Sequence, residues 1–357
     1  MLHHYPRRVT YLMLALTALL IAYPLWGPFV LGGQSAFFIE KLTTMLIFGL
    51  FAMSLDLLVG TVGLVSLGHA LFFGLAGYTL AIASPEYSPA SLWWMVPLVI
   101  AVCALTGLVV GALVIRTKGI YFIMTTLAFG QMLYYLVSDA TITGGTDGMF
   151  VMFKPSLAIG NWQILDLENP LVFFYFALGV IALGYCFLRW LTRSYFGQVL
   201  DGIYDNEQRM KALGYTTDGY KLVAFMISGV LAGIAGMLMA MQYGFANPGL
   251  LNWHMSGEVL MMVILGGMGT IFGPLLGAFA YLLLQYGFEH LTTHWHLLMG
   301  ATIIVTVLVL PRGLAGLILD PPSFKGHLPA SRLKTGSAKS MPRTFLGISL
   351  PHKRKDG

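Results

Sequence analysis

Residues 92–115 read LWWMVPLVIAVCALTGLVVGALVI, twenty-four positions without one charged side chain. At roughly 1.5 Å per residue a helix of that length reaches about 36 Å, enough to cross about 30 Å of hydrocarbon. Apolar runs of the same character occupy 9–31, 38–58, 63–83, 120–138, 170–190 and 220–243. Shorter ones lie at 258–268, 275–290 and 297–312. Charged residues make up 10% of the chain and hydrophobic ones 57%, with a mean hydropathy of +0.78. A soluble globule carries about 25% charged residues, so these runs have no soluble protein to be the core of. They are continuous and lack the alternation of a membrane strand, which leaves helices as the way to satisfy the backbone in lipid. The expected fold is an all-α polytopic membrane protein of about ten transmembrane helices, some short or broken. The first run exceeds a secretory apolar core in length and lacks a small-x-small cleavage site, so it reads as a membrane anchor.

Positive charge sets the orientation. With the N-terminus in the cytoplasm, 18 of the 20 Lys and Arg residues fall inside, and only Lys41 and Lys154 fall outside. Such an excess is the mark of cytoplasmic segments, so both termini are expected there. The net charge of +5 then reflects membrane insertion, and no nucleic-acid partner is implied. Residues 1–315 read as the membrane domain. Residues 316–357, rich in Pro, Ser, Gly and Lys, read as a disordered basic cytoplasmic tail able to touch anionic membrane lipid. Cys103 and Cys186 fit no metal or nucleophile pattern and read as small buried hydrophobes.

The scarce charges gather in the cytoplasmic loop 191–219, around DNEQRMKALG at 205–214. Phe196, Val199, Leu200 and Ile203 recur at helical spacing on one face, and Met210 and Leu213 extend the stripe. Gly214 stands where a helix C-cap glycine belongs. The mixed signs of the charged turn suit docking to a soluble partner better than lying on lipid.

Within the membrane, GGMGTIFGPLLGA places Gly266, Gly267, Gly269 and Pro274 between two apolar stretches, so one uniform helix is excluded. A hinge or pathway lining and a tight turn with small-residue packing are both compatible with this segment. Asp56 and His69 are the deepest ionisable residues, either paired with each other across the 58–63 turn or lining a pathway; Glu258 and Glu40 are further candidates. EHLTTHWH at 289–296 sets His290 and His294 at i, i+4, yet its order is not that of a helical zinc motif, and Trp295 reads as an interfacial anchor. No metal site is expected.

Five stretches together carry a family resemblance: VGLVSLGHALFFGLAGYTLA at 62–81, GIYFIMTTLAFGQM at 119–132, TGGTDGM at 143–149, DNEQRMKALGYTTDGYKLVAF at 205–225, and GEVLMMVILGGMGTIFGPLLGA at 257–278. In this order they resemble bacterial ABC-importer permeases of the branched-chain amino acid class, of the LivM-type subunit, from about 40 to 315. The resemblance implies that Asp205, Asn206, Glu207, Arg209, Ala212, Leu213 and Gly214 couple to ATPase subunits. Tyr204 departs from the family's pattern, where a basic residue is common. The outer loop with Gly144, Gly145, Thr146, Asp147 and Gly148 reads as an ordered turn packed over the pore mouth, or, as the resemblance implies, as one that borders the substrate gate or meets a binding protein. Two ATP-binding subunits at the cytoplasmic face, a second permease subunit and a periplasmic solute-binding protein are the expected partners, in the bacterial inner membrane. The chain has no G-x-x-x-x-G-K-[ST] phosphate loop, so ATP and Mg belong to the partners, no cofactor is expected here, and the chain is not expected to be an enzyme. The expected cargo is a branched-chain or other small hydrophobic amino acid, with urea, amides or aromatic acids as alternatives. An ion-coupled secondary transporter would need several intramembrane carboxylates, and a membrane enzyme a catalytic cluster.

Overall fold

A computed structural model describes residues 18, 20–23, 35–85, 87–159, 162–310 and 312–319. The tail and most of the first expected span, 9–31, lie outside the described residues. Among the described residues the protein is all-α apart from two minimal strand pairs. Among the described residues six helices are long and apolar enough to cross a membrane, with shorter apolar helices between them.

α1 (Ser35–Asp56) runs directly into a π-helical turn, Leu57–Val62. α2 (Ala70–Ala83), α3 (Leu92–Val114) and α4 (Ile120–Asp139) follow. After an outer loop come α5 (Pro170–Arg193), α6 (Tyr195–Ala212) and α7 (Thr217–Tyr243). α8 (Trp253–Gly266), α9 (Gly273–Leu291), α10 (Trp295–Val309) and the short α11 (Gly313–Leu319) complete the described chain.

The span expected at 63–83 is helical only over its last two thirds. Gly63 takes a left-handed φ of 78° and ends the π turn. Residues 63–69 then pass α4 as irregular backbone, so close that a Cβ on Gly68 would meet the Thr126 carbonyl. Irregular backbone at membrane depth requires such a protein surround. The Ala70 amide, left free at the start of α2, donates to Ser256 Oγ at 2.8 Å.

α1 is the central column: 94% of its spanning window is buried, against 12% for α10. It packs on α5, α7, α8 and α9, while α2 and α3 pack on α7. Without a hydrophobic drive between helices in lipid, close backbone approach supplies the contact energy. Gly229, Gly233 and Gly236 let α7 approach α2 and α3, and a Cβ on Gly236 would fall on the Phe73 carbonyl. Cys103 is buried there, its Sγ 3.9 Å from the Phe72 carbonyl, whereas Cys186 is exposed, contrary to expectation.

Candidate functional site

α6 is two helical pieces. Asn206 leaves the helical region (φ −161°, ψ 96°), and its Oδ1 accepts from the Arg209 amide at 3.0 Å. Asn206 is thus the N-cap of the second piece, with the bond running to the third residue on. The bend folds Met210 back over Gly202, where a Cβ would stand 2.8 Å from the Met210 sulfur. At the far end the Tyr215 amide bonds the Met210 carbonyl (3.1 Å) and the Gly214 amide the Lys211 carbonyl (3.0 Å). This is a Schellman closure with Gly214 at φ 91°.

The first half of the apolar stripe packs on its own protein, whereas Leu213 at its far end is exposed. Val199, Leu200 and Ile203 are buried, and Phe196 stacks on Tyr220 of α7 at 5.7 Å. Tyr204, the residue that departs from the family's pattern, lies beside Gly63. Glu207 fastens the charged turn to α7. Its carboxylate accepts from Lys221 at 2.8 Å and Lys211 at 2.9 Å, and from Thr217 Oγ1 at 3.3 Å. Burial disfavours the Glu207 charge, but the hydrogen-bonded ammonium groups of Lys221 and Lys211 overcome it and hold the carboxyl at about 2. What remains outward is a compact tip: Asp205, Asn206, Arg209, Ala212, Leu213 and Gly214 are all exposed, Leu213 to 68%.

Asp56 and His69 do not pair. Asp56 Oδ1 accepts from the Gly269 amide at 2.8 Å, and His69 Nε2 faces Ser54 Oγ at 3.0 Å and Ser228 Oγ at 3.3 Å. His69 also stacks on Phe51 at 5.7 Å, forming a polar knot between α1, α2 and α7. The cavity beside Asp56, which Arg189, Arg193 and Thr61 also line, measures about 20 Å³. That volume holds a water and nothing larger.

The glycine segment is a tight turn between α8 and α9. Gly267 and Gly269 adopt φ of 110° and 75°, and Thr270 Oγ1 donates to the Gly267 carbonyl at 2.8 Å. Gly266 packs its Cα face on the Gly273 carbonyl. Pro274 sits in the first turn of α9, where its missing N–H costs nothing, so it starts a helix.

At the opposite end, Thr141–Thr143 and Gly145–Asp147 form two 3₁₀ turns, with Gly144 and Gly148 at positive φ. β1 (Met149–Phe150) then pairs with β4 (Phe245–Ala246), setting Met149 opposite Ala246. β2 (Leu157–Ile159) pairs with β3 (Trp162–Leu165) in the same loop. Thr146 and Asp147 border an open cleft of about 470 Å³ with Tyr134, Ser138 and Asn247.

Residues 37–308 match the family described as branched-chain amino acid transport system / permease component. The chain belongs to that family. It is 30% identical over 345 residues to the high-affinity branched-chain amino acid transport system permease protein LivM of Salmonella typhimurium, covering 91% of this chain and 78% of that one. It is 29% identical, with the same coverage, to the Escherichia coli LivM protein. The autoinducer 2 import system permease protein LsrC of Photorhabdus luminescens is 27% identical over 60% of this chain and 65% of its own length. No solved structure matches.

In this permease the structure separates the expected site residues into three places. Asp205–Gly214 form the tip at one end, Asp56, Gly266, Gly267, Gly269 and Pro274 form a turn region beside it, and Gly144–Gly148 lie at the other end. The tie from Glu207 to Lys221 was not anticipated, although an acid facing a lone Lys one helix on is a readable signal.

Proposed function

We propose that this chain is one of two membrane subunits of an ATP-driven importer in the bacterial inner membrane. It moves branched-chain or other small hydrophobic amino acids by alternating access, with both termini cytoplasmic and about ten spans in all. A second permease subunit completes the pathway, two ATP-binding subunits dock on the α6 tip, and a periplasmic solute-binding protein delivers cargo to the opposite end. ATP and Mg are held by those ATP-binding subunits, and hydrolysis is theirs.

The observation that carries this reading is the construction of α6. Its apolar face and Glu207 are committed to its own protein, so the exposed Arg209 and Leu213 stand on a rigid mount continuous with the spanning helix α7. Force applied at the tip therefore enters α7. A helix that merely lay on lipid would turn its apolar stripe outward.

The test is leucine uptake by membranes carrying the full importer. Leu213→Asp and Arg209→Glu are expected to abolish uptake and ATPase co-purification while the chain still inserts. Normal uptake by both variants would remove the docking assignment.

A further inference from the structure

At the end of the bundle away from α6, a cavity of about 200 Å³ opens between α1, α7, α8 and α9. It stands about 15 residues up α1 from Asp56, roughly 22 Å at helical rise. Its floor is apolar: Met45 and Phe48 of α1, both buried, with Leu282 of α9. Its wall carries charge of both signs, Lys41 from α1, Glu258 from α8 and Glu289 from α9.

These charges have little internal use. Among the described residues Glu258 makes no hydrogen bond and no ion pair, although it lies on an apolar membrane helix and is only partly exposed. A carboxylate so placed is costly and points to a ligand. Lys41 lies over the rings of Phe37 and Tyr286, at 5.6 and 5.9 Å, with no described carboxylate within ion-pair distance. Among the described residues Glu289 accepts from Gln285 alone, at 2.9 Å. By contrast, Thr44 at the edge is fixed by Gln242 (3.0 Å) and Tyr243 (3.1 Å), so the wall is built and held.

We infer that this cavity is a substrate subsite for a zwitterionic α-amino acid with an apolar side chain. The ammonium group faces Glu258 and Glu289, the carboxylate faces Lys41, and the side chain rests on Met45, Phe48 and Leu282. The cavity is smaller than the roughly 300–1,000 Å³ of drug-sized pockets, a size that suits a single amino acid. The assignment rests on the function proposed above and names where that substrate is held within the membrane.

The experiment measures L-leucine uptake by vesicles carrying the full importer with its binding protein saturating. Glu258→Gln and Lys41→Met are each expected to slow uptake at least about tenfold, the worth of one charged hydrogen bond, with ATPase co-purification unchanged. Glu258→Asp should recover much of the rate, which a merely structural role would not give. Wild-type vesicles that take up no leucine would overturn the function itself. Wild-type uptake matched by both charge-removing variants would overturn the subsite alone. Should those variants fail to insert, Gln285→Cys in a Cys186→Ala background decides the matter. Leucine is expected to slow its labelling by an impermeant maleimide, and 4-methylpentanoate, which lacks the ammonium group, is not. Equal labelling with leucine, 4-methylpentanoate and neither overturns the subsite.

Discussion

Glu207 answers to two lysines of different worth. Lys221 is nearly buried, its side chain 8% exposed, and Lys211 is 45% exposed. Removing Lys221 leaves a half-buried carboxylate short of its main partner, so Lys221→Met should cost about 2 kcal/mol. Lys211→Met removes a solvated i,i+4 pair and should cost far less. Thermal unfolding of the detergent-purified chain ranks the two. The same carboxyl gives a pH signature. Folded, it titrates at about 2 rather than its ordinary 4.5, so its contribution is complete above 4.5 and is lost as pH falls toward 2. Hydrogen exchange across 205–215, corrected for intrinsic rate, should be flat from pH 8 to about 5 and rise below that. Exchange that already rises between pH 8 and 6 would mean another group holds the turn. Little of this was legible in the sequence beyond the charge cluster itself. Asn206 ahead of Glu207 is a helix-start signal, but it sits inside an otherwise helical pattern, and only the folded-back Met210 shows why the chain restarts there.

Helix identity in a membrane chain is easier to read than helix extent. The long spans at 92–115, 120–138, 170–190 and 220–243 fall on α3, α4, α5 and α7, because lipid leaves an apolar stretch of that length no other regular structure. The run at 63–83 misled because apolar composition continues through residues 63–69, whose backbone is irregular and only partly buried against the rest of the protein. Apolarity reports burial, and here burial among helices looks the same as burial in lipid. The glycines show a similar split that only packing resolves. A Cβ on Gly236 would fall on the Phe73 carbonyl, whereas a Cβ on Gly287 would meet nothing within 4 Å. Gly236→Ala must push α7 off α2 and is expected to cost about 3 kcal/mol or more, as overpacking against rigid backbone does. Gly287→Ala should be neutral or stabilising by up to about 1 kcal/mol, since alanine is the better helix former. At the α6 terminus the space is open and the conformation alone demands glycine. Gly214→Ala is expected to cost about 1 kcal/mol at its left-handed φ, and Gly214→Asn less. Faster amide exchange at Gly214 and Tyr215 in the alanine variant, partly restored by asparagine, is the check.

At the scale of the whole described bundle, two ends are differently equipped. α1 joins them: its π turn and Gly63 meet Tyr204 of the α6 tip, and its other half lines the charged cavity. A displacement of the tip thus reaches the cavity through one nearly fully buried helix, and packed interiors shift between discrete arrangements more readily than they bend. This geometry transports in the proposed direction only if the α6 end is cytoplasmic, the orientation that the positive-inside bias favours. Among the described residues Arg189, Arg193, Arg209, Lys211 and Lys221 lie around that end, while Lys41 and Lys154 stand toward the other. Moving so many cations across during insertion is the step that the positive-inside bias reflects. Single cysteines in a Cys186→Ala background test it directly, with the buried Cys103 left in place. Tyr215→Cys, beside the tip, should react with an impermeant maleimide only in inverted vesicles. Thr146→Cys, in the outer loop, should react only in intact spheroplasts. Labelling with the sides exchanged would place the motor's docking surface outside the cell, away from any source of ATP, and the importer reading would fall with it.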